Sequence, residues 1–216
     1  MSSVAEKRFA AEAAAMLVRD GMRVGLGTGS TVAYLIAALG QSRPRATYVA
    51  SSPATEAAAR AVALDVVAFD ELDELDLAID GADQVAPDLW LVKGGGGAHT
   101  REKVIAASAE RFVVIVDSTK LVESLRPPVP VEILAFGAGA TLRRLAPATR
   151  REALSSPDGG VIVDYHGEFD DPAELSARLS SIPGVVEHGL VAAHLVAEVL
   201  VGHDGGVHQL SGRGAP

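Results

Sequence analysis

Short apolar runs that end in glycine, serine or aspartate alternate along the first half of the chain with longer alanine- and leucine-rich stretches of helical spacing. Residues Val4 to Arg19 set Phe9, Ala13, Met16 and Leu17 on one helical face, and Asp20-Gly21 supplies a stop, so the spacing predicts a first helix. Met22 to Leu26 then reads as a buried strand running into Gly25-Leu26-Gly27-Thr28-Gly29-Ser30-Thr31, after which Val32 to Leu39 is helical. The same alternation predicts a strand at Ala46–Ala50, a helix at Thr55–Ala63 and strands at Val66–Ala68 and Leu75–Ile79. An apolar Leu89–Val92, a helix at Arg101–Ala109 and a strand at Arg111–Val116 follow. Repeated strand–helix units build an α/β domain around a parallel sheet.

The pattern changes after Pro127-Pro128-Val129-Pro130, which cannot continue a helix and marks a domain boundary. Strands are predicted at Val131–Ala135, Val161–Tyr165, Val185–Val191 and Leu195–Val201, with helices at Ala138–Leu145 and Pro172–Ser181. These elements form a small α+β unit with antiparallel strands. The expected organisation is therefore an α/β main domain, 1–129 plus 202–216, with a smaller α+β domain over 130–201. The first part of Gly202–Pro216 is expected to return to the main domain, and Ser211–Pro216 to fray.

Composition narrows the function classes. The 216 residues are 48% hydrophobic and 22% charged, which fits a well-buried globular core. No apolar run reaches the ~18 residues of a membrane span, and Glu6, Lys7 and Arg8 stand where a signal peptide would be apolar, so a cytoplasmic protein is expected, with no membrane partner. The absence of cysteine rules out disulfides, thiolate metal sites and cysteine nucleophiles. A formal net charge of −9 disfavours nucleic acid as a partner. Of 19 basic residues only four are lysine, Lys7, Lys93, Lys103 and Lys120, which points to positions that need a compact point charge.

The chemistry concentrates between Asp80 and Lys103. Asp80-Gly81-Ala82-Asp83 places two carboxylates where a buried strand ends, the usual ligand position of an open α/β sheet. Lys93 is followed by Gly94-Gly95-Gly96-Gly97, and four consecutive glycines signal backbone that must approach something closely or take positive φ. The turn at Thr28, Gly29, Ser30 and Thr31 opens a helix and reads either as a phosphate cradle or as a tight strand–helix turn; it lacks the lysine of a P-loop and the spacing of a dinucleotide fingerprint. Ser51, Ser52 and Thr55 read either as part of the same mouth or as caps of their helix. Lys120, after the strand at 111–116, reads as a phosphate contact or as a surface lysine. His166, His188, His194, His203 and His208 lack metal-ligand spacing, and no metal or cofactor is expected.

Taken together these stretches resemble the ribose-5-phosphate isomerase A family. The resemblance rests on Gly27-Thr28-Gly29-Ser30-Thr31, Ser51-Ser52 with Thr55-Glu56, Asp80-Gly81-Ala82-Asp83, Lys93-Gly94-Gly95-Gly96, Thr100-Arg101-Glu102-Lys103, Ser118 with Lys120, Pro130-Val131-Glu132, and Ile182-Pro183-Gly184-Val185-Val186-Glu187. It implies a Rossmann-like α/β main domain with the smaller, ferredoxin-like α+β domain inserted near the C-terminus, and metal-independent interconversion of ribose 5-phosphate and ribulose 5-phosphate in the non-oxidative pentose phosphate pathway, by a homo-oligomer, dimer or tetramer. It also implies that Thr28 to Thr31, Lys120 and Lys7 bind the phosphorylated ligand, that Asp80, Gly81, Ala82, Asp83 and Lys93 to Gly96 form the sugar site, and that Glu102 is the proton acceptor. The chain departs from the family's pattern at His99, where an apolar residue is usual, and at Leu154–Gly160, which lacks the usual asparagine-containing turn. Aldose–ketose chemistry needs these residue types: a base for a carbon-bound proton, an acid–base group at the oxygens and fixed positive charge for the enediolate. Glu102 fits the base, Asp80 the oxygen proton carrier, Lys93 with the glycine N–H groups the stabiliser, and Asp83 an orienter of hydroxyls. The helix start and Lys93 are expected to keep Glu102 ionised without deep burial. A sugar-phosphate sensor and a CoA-transferase-like protein are the alternative functions on this fold.

Overall fold

A computed structural model describes residues 3–211. The chain opens with α1 (Ser3–Ala15), β1 (Arg23–Leu26), α2 (Ser30–Ser42), β2 (Thr47–Ala50), α3 (Pro53–Ala61), β3 (Asp65–Val66) and β4 (Leu77–Asp80). A short hairpin of β5 (Gln84–Val85) and β6 (Leu91–Val92) then leads to α4 (His99–Ala107) and β7 (Phe112–Asp117). Next come β8 (Val129–Ile133), α5 (Ala138–Arg144), β9 (Ala148–Ser155), β10 (Val161–Tyr165), α6 (Pro172–Ser180) and β11 (Val185–His188). The chain ends in β12 (Leu190–Val191), β13 (Glu198–His203) and β14 (Gly206–Ser211). The fraying expected over Ser211–Pro216 falls, from residue 212 onward, outside the described residues.

Seven strands form the main sheet in the order β14-β13-β7-β4-β1-β2-β3, parallel throughout except for β14 at one edge. Parallel strands covered on both faces are apolar at every position, and β7 is buried along its whole length. Ala10, Ala14, Leu35 and Leu39 pack on one face with Leu26, Ile79 and Ile115, while Leu75, Ile105, Val114 and Val199 fill the other. The strand order reverses between β1 and β4: β1, β2 and β3 run outward one way, β4, β7 and β13 the other. Loops diverge at such a switch point and leave a crevice at the strand carboxyl ends. The loops that follow β1 and β4 are the glycine turn at Thr28 and the Asp80–Asp83 turn.

The chain from β8 to β11 reads β-α-β-β-α-β and makes an antiparallel sheet in the order β11-β8-β10-β9, the ferredoxin-like arrangement expected. Its own core joins Val131, Ile133, Val163, Leu175 and Leu179. This whole unit forms the crossover between the parallel neighbours β7 and β13.

Three expectations need correcting. The strand expected at Leu195–Val201 of the small domain is Glu198–His203 and belongs to the main sheet, where it pairs with β7 and β14, so the sheets do not divide at 201. A short apolar run reveals that a strand is buried, not which sheet buries it. The single strand expected over Val185–Val191 is broken at Gly189 into β11, in the small sheet, and β12, which pairs with β6. Finally, β9 was not expected: its Ala-Thr-Arg-Arg-Glu sequence carries no apolar alternation, because it is an edge strand.

Candidate active site

The turn after β4 presents Asp80 beneath the turn after β1. Asp80 is buried, and its Oδ1 accepts from the amides of Gly81 (2.7 Å) and Thr28 (3.2 Å). A Cβ at Gly27 would stand 1.8 Å from that carboxyl, so only glycine lets β1 and the carboxylate approach this closely. Lys93, at the end of β6, reaches under the same turn. Its Nζ donates to Gly81 O at 2.6 Å and lies 2.7 Å from Asp80 Oδ2 and 3.2 Å from Glu102 Oε2, and all three side chains are nearly fully buried. The two carboxylate contacts are close ion pairs without hydrogen-bond alignment, leaving Asp80 Oδ2 and Glu102 Oε2 with no aligned donor among the described residues.

One ammonium between two buried carboxylates can neutralise only one of them. Burial works against the Lys93 ammonium, but the charges of Asp80 and Glu102 outweigh it and hold its pKa above the ordinary lysine value. Burial also raises the pKa of Asp80, against the pull of Lys93. For Glu102, burial and then the charge of Asp80 push the pKa up to about 7. The expectation of a Glu102 ionised without deep burial is thus reversed: α4 carries it on its first turn into the interior, where desolvation and the charge of Asp80 outweigh Lys93.

Lys93, which holds Asp80, and Glu102 form one end of a cleft of about 230 Å³, lined also by Thr28 to Val32, Gly81 to Asp83, Gly94 to Gly96 and Lys120. The other end is the start of α2. Its N-cap residue Gly29 makes no side-chain cap, so the first amides of the helix and its positive dipole end face the cleft. Lys7 of α1 donates to Ser30 Oγ at 3.1 Å and sits 3.9 Å from Asp117 Oδ2. Asp83 is exposed at the rim, and its Oδ2 accepts from the Gly95 amide at 2.8 Å. A carboxylate pair with an ammonium at the buried end, and helix amides with lysines at the open end, suit a small polyol bearing an anionic group.

A sequence model of the family described as ribose 5-phosphate isomerase A (phosphoriboisomerase A) matches residues 47–206. The chain belongs to the ribose 5-phosphate isomerase A family. It is 42% identical over 225 residues to ribose-5-phosphate isomerase A of Nitrobacter hamburgensis, covering 95% of this chain and 97% of that protein. The crystal structure of ribose 5 phosphate isomerase A from Neisseria gonorrhoeae superposes with a TM-score of 0.93 at 33% identity, covering 97% of each chain. A D-ribose-5-phosphate isomerase in complex with phospho-erythronic acid superposes at 0.92 and 34% identity, covering 98% of this chain and all of that one.

Of the isomerase-family residues expected at the site, all but Asp80 and Lys7 line the cleft; Asp80 reaches it through Lys93 and Lys7 through Ser30. Ser51, Ser52 and Thr55 are buried behind the cleft: Ser52 caps α3, and all three hydroxyls lie 2.8–2.9 Å from Thr28 Oγ1, fixing the turn from beneath. His99, where this chain departs from the family's pattern, is buried under Gly94 with its Nε2 3.3 Å from Glu187 O, and burial lowers its pKa to about 4. A neutral imidazole thus fills a site that the apolar residue would fill.

Nothing in the sequence signalled how this machinery is held in place. Glu6 accepts from the amide (2.9 Å) and hydroxyl (2.6 Å) of Ser118, tying α1 and Lys7 to the turn that carries Lys120. Four residues of α4 grip the small unit around Glu102: His99, Thr100 to Glu132 (2.5 Å), Arg101 to Asp158 and Lys103 to Glu187 (2.7 Å). Motif spacing offers no signal for Glu6 or Asp158, whereas Glu132 and Glu187 lay in stretches already quoted for the family resemblance.

Proposed function

We propose that this chain interconverts ribose 5-phosphate and ribulose 5-phosphate through an enediolate, as a step of the non-oxidative pentose phosphate pathway. The observation that carries the reading is the buried pair Lys93 and Glu102, with Asp80 held on Lys93, in a cleft that the N-terminus of α2 also lines. Starting from the aldose, ribose 5-phosphate, Glu102 takes the proton from C2, electrons move toward the C1 oxygen, and Lys93 with the glycine-loop amides balances the charge that develops there. Asp80 moves a proton from the C2 oxygen to the C1 oxygen. Glu102 then returns its proton to C1, which leaves the carbonyl at C2 with no net gain or loss of protons. A base with a pKa of about 7 is both partly ionised and strong enough near neutrality. Thr28 to Thr31, Lys120 and Lys7 take the phosphate, and Asp83 with Gly81 and Ala82 orients the sugar hydroxyls.

The phospho-erythronic acid in the similar isomerase carries a carboxylate as well as a phosphate, so it resembles an enediolate of a sugar phosphate in charge, which supports an anionic intermediate. Burial of Glu102 beside Lys93 argues against the acyl-transfer reading, which needs a carboxylate open to an incoming thioester. Among the described residues no helix is long and apolar enough to cross a membrane. A cytoplasmic homo-oligomer, dimer or tetramer, and a main unit separable from the ferredoxin-like unit, are proposed on the family resemblance. A coupled assay following ribulose 5-phosphate formed from ribose 5-phosphate tests the function directly, and an inactive, folded protein would overturn it.

A further inference from the structure

Arg151 lies outside the cleft, on β9 of the small unit. The register of β9 against β10 slips between the pairs Val161–Ser155 and Val163–Arg150, so Arg151 sits where the strand bulges. Bulges re-aim side chains. Here the guanidinium is clamped by Asp164, Nε at 2.8 Å from Oδ2 and Nη2 at 2.6 Å from Oδ1, and its remaining Nη1 donates to Gly94 O (2.9 Å) and Gly95 O (3.0 Å). A fixed cation thus grips two successive peptide carbonyls of the glycine loop.

A trans peptide points its N–H opposite to its C=O. The peptide whose carbonyl belongs to Gly94 therefore aims the Gly95 N–H away from Arg151, and that N–H donates to Asp83 Oδ2. The peptide whose carbonyl belongs to Gly95 likewise aims the Gly96 N–H away, and Gly96 lines the cleft with its N–H unbonded among the described residues. Hydrogen bonds in series polarise one another, so a cation on the carbonyl makes the amide at the far end a stronger donor. We infer that Arg151 is a positioning residue that orients and polarises the glycine loop, aligning Asp83 through the Gly95 amide and presenting the Gly96 N–H as a donor to the enediolate oxygen. The inference rests on the proposed isomerase reading. Arg151 itself touches neither sugar nor phosphate, and its charge reaches the site only through two peptide units.

The test compares Arg151→Lys and the pair Arg151→Met with Asp164→Asn, which removes the guanidinium without stranding the Asp164 carboxylate. Each is assayed on ribose 5-phosphate, titrated with phospho-erythronic acid as inhibitor, and checked for folding by circular dichroism and thermal unfolding. Loss of a direct oxyanion donor lowers turnover about 10²–10³-fold, and an effect relayed through a peptide should be smaller, a fall in kcat of about 10- to 100-fold for the double variant. KM should rise less than kcat falls, because the oxyanion donor strengthens only as charge develops, whereas the Asp83 contact is made in the ground state as well. Inhibitor affinity should fall with kcat, and added methylguanidinium should restore part of both. Arg151→Lys should keep little of the activity, since one ammonium cannot hold Asp164 and two carbonyls at once. Folded variants with wild-type kcat and inhibitor affinity would overturn the inference, as would a loss that methylguanidinium leaves untouched. A wild-type protein inactive on ribose 5-phosphate would overturn the isomerase reading as well.

Discussion

Replacing Glu102 by glutamine keeps the side chain's shape and hydrogen-bonding capacity while removing the proton acceptor. The buried pocket around it, with Lys93 Nζ 3.2 Å from Oε2, accommodates an amide of the same size. A positioned base contributes about 10²–10⁴-fold to rate, so kcat should fall by at least that lower figure while KM changes little. The wild-type pH profile follows from the same geometry. With the carboxyl pushed up to about 7, turnover of ribose 5-phosphate should rise with pH through neutrality as the base ionises, and Glu102→Gln should lack that limb. Stability should run the opposite way. In the unfolded chain Glu102 ionises near its ordinary 4.5, so between there and about 7 the native state binds the extra proton and wild-type stability falls as pH rises. At about 1.4 kcal/mol per tenfold, that gap amounts to roughly 3 kcal/mol at most. Glu102→Gln should therefore gain melting temperature over wild type on going from pH 5 to pH 8. The decisive assay is exchange of the C2 proton of ribose 5-phosphate with deuterated solvent. A folded Glu102→Gln protein that exchanges at the wild-type rate would refute the assignment and leave Asp80 as the next base to test.

Activity should survive exhaustive chelation, because Lys93 already supplies the cation between Asp80 and Glu102; loss in chelator restored by added divalent metal would contradict this. Lys120→Ala should raise KM for the phosphorylated sugar far more than it lowers kcat, as expected for a contact made equally in ground and transition states, and steady-state kinetics reads the split. Lys93→Arg should lose at least about tenfold in kcat with its charge retained, since a planar fork cannot meet Gly81 O, Asp80 and Glu102 from the single point that Nζ occupies; near-wild-type turnover would count against it.

Much of the site could be read from the sequence because its reacting groups are close along the chain. Asp80, Asp83, Lys93 and Glu102 fall within one segment, at a strand end, a hairpin end and a helix start, and glycines mark where backbone must crowd a carboxylate. Strand–helix alternation likewise announced the parallel sheet, since buried parallel strands must be apolar on both faces. Other features depended on pairings between distant residues. Whether Val199–Val201 belongs to the small sheet or beside β7 depends on which edge is open once the ferredoxin-like unit has folded back, and the apolar run is the same in either case. The bulge that aims Arg151 at the glycine loop arises from the register of β9 on β10, in a strand whose polar sequence gives no hint of it. The ionisation of Glu102 turned on burial. Local sequence offered a helix dipole and a nearby lysine, both favouring charge, but the packing of α4 against the sheet and the small unit removed water from the carboxyl, and desolvation with the charge of Asp80 won over the lysine. Residue type and spacing set which groups are available, whereas proton affinity depends on the dielectric and charge surrounding a group from every direction, and only the tertiary fold fixes those.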